Sequence, residues 1–127
     1  MNHLPILEKI MEKITIKNLA KKRKLCNDAV LLDNMLSMVI GLMFSKNNNK
    51  ALIFRFLEEK IISLHMIFVF YPIDVLFLDK NKFVVDKKEK FSPFTFYKSK
   101  EKAMYAIELP NGTIEKTKTS IGDKIKF

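Results

Sequence analysis

Three side chains in this sequence combine acid–base capacity with an apolar setting. Asp74 and Glu108 each have apolar residues on both sides, and His65 opens a run of largely apolar residues. A carboxyl group in such a strand either accepts hydrogen bonds that fix the backbone or has a perturbed pKa and serves as a base or ligand anchor. We favour the structural role, because structural networks also perturb carboxylates. His65 is the candidate for acid–base work near neutral pH, since the other imidazole, His3, lies near the N-terminus.

Signatures of the common catalytic, nucleotide and metal sites are missing from the sequence. It has no G-x-S-x-G, P-loop, G-x-G-x-x-G, H-E-x-x-H or C-x-x-C motif. Its single cysteine, Cys26, can form neither an intramolecular disulfide nor a zinc site that needs several thiolates. We therefore predict no metal and no cofactor, and we assign no catalytic residue. The cysteine usage and the lack of a visible secretory signal favour a reducing, cytoplasmic setting.

The charge is strongly positive, with a formal net charge of +9. Only two of the 23 basic residues are arginines, whereas phosphate recognition favours the bidentate fork of arginine. The densest basic cluster, Lys21, Lys22, Arg23 and Lys24, has two interpretations. It is either a lysine-guarded strand end that resists edge pairing, which we favour, or a set of phosphate contacts for nucleic acid.

The elements that must position these side chains are mostly strands. Helical spacing of apolar residues predicts a short helix over 7–14 and a second helix over 33–44. Alternation then predicts an edge strand over 14–19. Dense β-branched and aromatic runs predict further strands, over 51–56, 62–70, 73–78, 83–86, 104–109 and 121–127.

Turn residues separate these strands. Residues 79–82 are typical of a hairpin turn, Ser92 and Pro93 of a loop, and Pro110, Asn111 and Gly112 of a tight turn. Pro72 must begin a strand or lie at an edge or bulge, because it has no N–H to donate.

A membrane helix over 61–78 is the main alternative to these strands. The window has about the minimum length for a span, but it contains Pro72 and Asp74. An aspartate at the centre of a spanning helix costs about 2.5 to 3.5 kcal/mol. We therefore predict strands and no membrane span.

Four ordered groups of residues resemble a known family. They are Gly41-Leu42-Met43, His65-Met66 with Pro72 to Asp79, Ile107 to Gly112, and Gly122-Asp123. Their order and spacing are similar to the family catalogued as domain of unknown function 192, or uncharacterised protein family 0127, and most similar to its archaeal branch. The resemblance covers about residues 31–127. At the positions where the common bacterial pattern has Trp, Asn and Thr, this chain has His65, Phe68 and Val69.

The resemblance implies a compact, barrel-like, largely antiparallel β domain with one packed helix, and no established reaction. Together with the residue patterns it predicts a mainly β (α+β) unit at 26–127, preceded by a helix and strand extension at 1–25. It adds Asp123 to the candidate ligand-binding residues, which are then His65, Asp74, Glu108 and Asp123.

Three functions remain as hypotheses. The first is a small non-catalytic binding or interaction domain for an unknown small molecule or protein. The second is an enzyme that uses Asp74 or Glu108, with or without His65, as acid and base. The third is binding of nucleic acid or an acidic surface through the cluster at 21–24, which we do not favour.

Overall fold

The computed structural model describes residues 13–32, 51–65 and 71–127, and strands dominate these segments. A single short helix, α1 (Thr113–Thr117), lies among them. The strands are β1 (Lys13–Asn18), β2 (Arg23–Leu32), β3 (Leu52–Lys60), β4 (Ser63–His65), β5 (Ile73–Leu78), β6 (Val84–Phe91), β7 (Phe96–Lys98), β8 (Ala103–Pro110) and β9 (Ile125–Lys126).

Seven strands form one sheet in the order β6-β5-β8-β3-β2-β1-β9, and β4 pairs with β7 in a second sheet. All pairings between these named strands are antiparallel except that between β2 and β3. The large sheet curls, so that Phe83 beside β6 forms a bridge with Lys124 beside β9. The Val84 N–H donates to the Asp123 carbonyl at 2.9 Å across this contact. The expected barrel-like, mainly β architecture is confirmed.

β5 lies between β6 and β8 in the large sheet, and its bounds are those that the sequence predicts. All six of its residues are buried, because β6 and β8 flank it and apolar groups cover both of its faces. Alternate residues point to opposite sides of a strand. Pro72 precedes the first residue of β5, where its missing N–H removes no hydrogen bond from the ladder.

The two faces of the sheet belong to two separate apolar clusters. The first cluster includes Ile16, Leu25, Ile53, Leu76, Leu78, Ile107, Leu109, Ile114 and Ile125. The second cluster includes Leu32, Leu52, Phe54, Ile62, Ile73, Val75, Phe77, Phe91 and Ala106. Successive residues of β5, β8 and β3 therefore contact the first and the second cluster in turn, because their side chains point to opposite faces of the sheet.

The predicted hairpin turn at 79–82 is present between β5 and β6. The Asp79 carboxylate accepts hydrogen bonds from the N–H groups of Asn81 at 2.9 Å and Phe83 at 3.0 Å. Lys82 takes a positive φ of 67° at the end of the turn. An aspartate that bonds its own following backbone is the usual reason for a turn at this kind of sequence.

The predicted turn before α1 is also present, but the segment after it differs from the prediction. Gly112 has a φ of 91°, which glycine adopts without strain. The chain then forms α1, which sequence patterns do not predict because its five residues are too few to display a helical period. The predicted terminal strand over 121–127 is shortened to β9, since Ile121 and Gly122 form a turn that the Asp123 N–H closes by donating to the Ser120 carbonyl.

Other predictions are corrected in part or lie outside the described residues. β6 extends to Phe91 rather than ending at residue 86, and β2 and β7 were not predicted. The predicted edge strand over 14–19 corresponds to β1, which is not an edge because it pairs with β2 on one side and β9 on the other. Ile14 lies in β1, so the predicted first helix does not reach it. The remainder of that helix, the helix over 33–44 and residues 66–70 fall outside the described segments. Within those segments, no helix has the length and hydropathy that a bilayer crossing requires.

Candidate functional site

Asp74 is a buried anchor for the backbone. Its Oδ2 atom accepts hydrogen bonds from the N–H groups of Gly112 at 3.1 Å and Ile114 at 2.9 Å. Its Oδ1 atom accepts one from the Lys90 N–H at 3.1 Å, where β6 bulges and Lys90 has a positive φ of 53°. The carboxylate thus holds the start of α1 and the bulge of β6 against β5.

Asp123 is also surrounded by donors. One of them is Lys21, so a predicted ligand-binding residue contacts a predicted phosphate-binding residue. Its carboxylate accepts hydrogen bonds from Asn18 Nδ2 and the Ser120 N–H, both at 2.9 Å. It also forms an ion pair with Lys21 Nζ at 2.8 Å. Burial acts to raise the pKa of Asp123, but these hydrogen bonds and the charge of Lys21 outweigh it and lower the pKa below its ordinary value.

A third buried carboxylate, Asp86, was not among the predicted site residues. It accepts hydrogen bonds from the Tyr97 hydroxyl at 2.7 Å and from the N–H groups of Lys87 at 2.8 Å and Lys100 at 2.9 Å. Burial and the bond to Asp86 raise the pKa of Tyr97 to about 12. Asp86 follows two valines but precedes two lysines, so the signal that identified Asp74, an acid with apolar residues on both sides, was only half present here.

Glu108 has a different environment. It is half-buried on β8, directly opposite Val75 of β5 and Leu52 of β3. Residues paired in this way point to the same face of a sheet, and both neighbours belong to the second cluster. In the part of the chain that the structure describes, no hydrogen-bond donor or cation is in contact with its carboxyl group. Glu108 therefore presents an unpaired acid to an apolar face.

The surroundings of Glu108 change its titration and that of a nearby tyrosine. Burial raises the pKa of Glu108 to about 7. The pKa of Tyr71 is raised as well, first by burial and then by the charge of Glu108. Tyr71 packs at the margin of the second cluster. These two groups are the polar components of the candidate site.

Asp74 and Glu108 do not converge on one pocket. In the pairing of β5 with β8, Asp74 lies opposite Leu109, whereas Glu108 lies opposite Val75. Leu109 belongs to the first cluster and Val75 to the second, so the two acids point to opposite faces of the sheet. A site that uses both carboxylates directly is incompatible with this register.

The remaining candidates are placed as follows. His65 pairs with Phe96 through the backbone of β4, and its side chain lies outside the described residues. Lys22, Arg23 and Lys24 are exposed, and Lys21 is partly covered by its ion pair. Across residues 13–32, 51–65 and 71–127, no three histidine, cysteine or acidic side chains are grouped to hold a metal ion.

Comparisons with known proteins agree on the family. The model of DUF192, described as "Uncharacterized ACR", matches residues 16–127, so the match begins nearer the N-terminus than the predicted start at about residue 31. A UPF0127 protein of Pyrococcus furiosus is 34% identical over 111 residues, which cover 87% of this chain and 95% of that protein. A UPF0127 protein of Thermococcus sibiricus is 40% identical over 99 residues, which cover 76% of this chain and 64% of that longer protein.

Two crystal structures share the fold. One is a protein of Sinorhizobium meliloti 1021 described as a proposed transcription regulator, with a TM-score of 0.75, 22% identity and coverage of 91% of this chain and 92% of that one. The other is a protein of unknown function from Novosphingobium aromaticivorans DSM 12444, with a TM-score of 0.76, 16% identity and coverage of 92% and 85%. At these identities the likeness extends to the fold alone.

Proposed function

The chain belongs to the DUF192 family of uncharacterised proteins, and we propose that it acts as a small binding domain whose recognition group is Glu108. One contrast supports this proposal above all. Asp74, Asp86 and Asp123 each accept three or more hydrogen bonds, whereas Glu108 receives none from the described residues. A half-buried carboxylate that receives no hydrogen bond from the described residues keeps its full acceptor capacity for a ligand.

The chemistry of the site favours a small amphipathic cation. Burial removes part of the water around the Glu108 carboxyl group and disfavours its ionised form, which is why the pKa is raised to about 7. An ammonium group would supply the missing partner and favour the ionised form. Tyr71, which is partly exposed at the margin of the second cluster beside Glu108, would contact the apolar part of the ligand.

Calorimetric titration with hexylamine tests this proposal, with hexan-1-ol and hexanoate as uncharged and anionic probes of the same length. We expect hexylamine to bind at least tenfold more tightly than either. Its affinity should rise about tenfold per pH unit below pH 7 and level off above it, because binding requires the ionised carboxylate.

Variants of two strand glutamates supply the control for this titration. Glu108→Gln should remove the preference for hexylamine, whereas Glu58→Gln, on the exposed part of β3, should preserve it. Equal affinity of the wild type and Glu108→Gln for hexylamine would contradict the proposal.

An enzyme is the second candidate, and the pKa of Glu108 is the observation that favours it. A group with a pKa of about 7 can both accept and donate a proton near neutral pH. Hydrolysis of 4-nitrophenyl butyrate that is lost in Glu108→Gln and kept in Glu58→Gln would favour this candidate. Hydrolysis at the uncatalysed rate in all three proteins would favour the binding domain.

We also propose that the protein acts in the cytoplasm as one structural unit. The sequence contains one cysteine, Cys26, and such low cysteine usage supports a reducing compartment because disulfides are typical of oxidising ones. The predicted boundary between residues 25 and 26 falls within β2, which pairs with β1 on one side and β3 on the other. In whole cells, Cys26 should react with a membrane-permeant maleimide and not with an impermeant one.

A further inference from the structure

An open groove lies on a part of the surface that the Glu108 site does not include. Its volume is about 850 Å³, and it runs between the end of β3, the hairpin of β5 and β6, and the turn before β9. Three large apolar side chains line it, with 38% of Ile61, 40% of Phe83 and 62% of Ile121 exposed. Apolar side chains that are exposed next to one another on a protein surface are typical of a site that binds a partner.

The charge of the groove is opposite to that of the whole chain. Its rim carries the carboxylates of Glu59, Asp79 and Glu101. Two ammonium groups oppose these three charges: Lys102 lies in the lining, and Lys124 Nζ lies 4.6 Å from the centre of the Phe83 ring. The groove is therefore locally acidic, although the chain has a formal net charge of +9. A locally acidic surface attracts cationic partners. It also repels a second, positively charged copy of the chain less than the other surfaces do.

Two of the three acidic side chains of the rim, Glu59 and Asp79, are held in place by hydrogen bonds, and all three keep free acceptor capacity. Glu59 Oε2 accepts a hydrogen bond from the Lys80 N–H at 2.8 Å, and Asp79 Oδ1 accepts from the turn that it closes. Within the described residues, no donor reaches Glu59 Oε1, Asp79 Oδ2 or the two carboxylate oxygens of Glu101, whose backbone carbonyl accepts from the Ser99 hydroxyl. A carboxylate accepts more than one donor, so these oxygens can bind ammonium or guanidinium groups.

We propose that this groove docks an extended, basic peptide segment of another protein. Lysine or arginine side chains of the segment pair with Glu59, Asp79 and Glu101. An apolar side chain between them packs against Ile61, Phe83 and Ile121. An extended chain fits an open groove better than a small molecule does, because small ligands bind in concave sites that bury most of their surface. The inference goes beyond the Glu108 proposal and shares no residue with it.

Fluorescence anisotropy with three labelled pentapeptides tests the inference. The probes are acetyl-Ala-Lys-Ile-Lys-Ala-amide and the same peptide with both lysines replaced by glutamate or with isoleucine replaced by serine. We expect the first peptide to bind with a dissociation constant below about 1 mM, and each of the other two at least fivefold more weakly. Its affinity should fall with rising salt, as expected for pairing of exposed charges.

Variants of exposed residues localise the binding. Glu101→Lys and Ile121→Ser should each weaken the lysine peptide at least fivefold. Two control variants should leave the affinity for the lysine peptide unchanged. Glu58→Lys changes the residue next to Glu59 but outside the groove lining, and Leu57→Ser changes a residue that is 97% exposed. Equal effects inside and outside the groove, or no binding of the lysine peptide, would overturn the inference. So would a dimer in sedimentation that Ile121→Ser dissociates, since the occupant would then be a second copy.

Discussion

At the scale of single residues, the acids of this chain differ in the donors that reach them. Asp74 is bound by three backbone N–H groups that lie on β6 and at the start of α1. Glu108, on the neighbouring strand and the opposite face, receives none from the described residues. The same residue class in the same kind of strand therefore has a structural role in one case and is available to a ligand in the other.

The raised pKa of Glu108 predicts a specific dependence of stability on pH. The folded protein holds this proton up to about pH 7, whereas the unfolded chain releases it near the ordinary value of 4.5. The folded state therefore binds more protons between these values, and the free energy of unfolding falls as pH rises through this window. Glu108→Gln should remove this loss, so at pH 8 it should be more stable than the wild type by about 1 to 3 kcal/mol.

Urea unfolding at pH 4 and pH 8 measures this effect. The stabilisation by Glu108→Gln should be present at pH 8 and absent at pH 4, where the wild-type carboxyl group is protonated in both states. Glu58→Gln, at an exposed position, should change stability by less than about 0.5 kcal/mol at either pH. A stabilisation by Glu108→Gln that is the same at both pH values would contradict the raised pKa.

At the scale of elements, buried carboxylates join segments that are far apart in the sequence. Asp74 connects β5 with α1, and the Asp74–Ile114 hydrogen bond spans 40 residues. Asp123 connects the end of β1 with the turn before β9, through Asn18 and Lys21. Asp86 connects β6 with β7 through Tyr97. Short elements such as α1 and β7, which cannot persist alone, depend on these bonds.

Asp74→Ala should destabilise the fold strongly. It leaves the N–H groups of Lys90, Gly112 and Ile114 without their acceptor, and an unsatisfied buried donor costs about 1 to 3 kcal/mol. We expect the free energy of unfolding to fall by about 3 kcal/mol or more, and hydrogen exchange of α1 to accelerate first. In the same denaturation experiment, Asp28→Ala at an exposed site of β2 should cost less than about 0.5 kcal/mol. A loss below about 1 kcal/mol in Asp74→Ala would show that other groups hold α1.

At the scale of the whole molecule, the net charge of +9 predicts weak association with polyanions. The four residues of the cluster at 21–24 have two different environments. Lys21 is held by Asp123 and contributes to the fold, whereas Lys22, Arg23 and Lys24 are exposed. Nucleic-acid binding through this cluster stays a prediction.

A triple variant tests the exposed part of the cluster without disturbing the ion pair of Lys21. We expect the wild type to bind a 20-base-pair DNA duplex with an affinity that falls steeply as salt rises, because binding releases counterions from the phosphates. Lys22→Gln, Arg23→Gln and Lys24→Gln together should weaken this binding at least tenfold at low salt if the cluster is the contact. A triple change of three exposed lysines elsewhere, Lys98, Lys100 and Lys102, serves as the charge-matched control. Equal weakening by the two triple variants would mean that the binding follows net charge alone.

The sequence by itself determined the features that depend on neighbouring residues. A dense run of β-branched and aromatic residues defines β5, the Asp79 turn arises from local hydrogen bonding, and the glycine at position 112 provides the positive φ of its turn. The order of the residue groups also identified the family. Only the tertiary structure decided which acid is free, because the donors to Asp74, Asp86 and Asp123 come mostly from other elements. It likewise decided that Asp74 and Glu108 face apart, since that depends on the register between β5 and β8. Register and long-range donors arise from packing, and no local pattern in the chain encodes them.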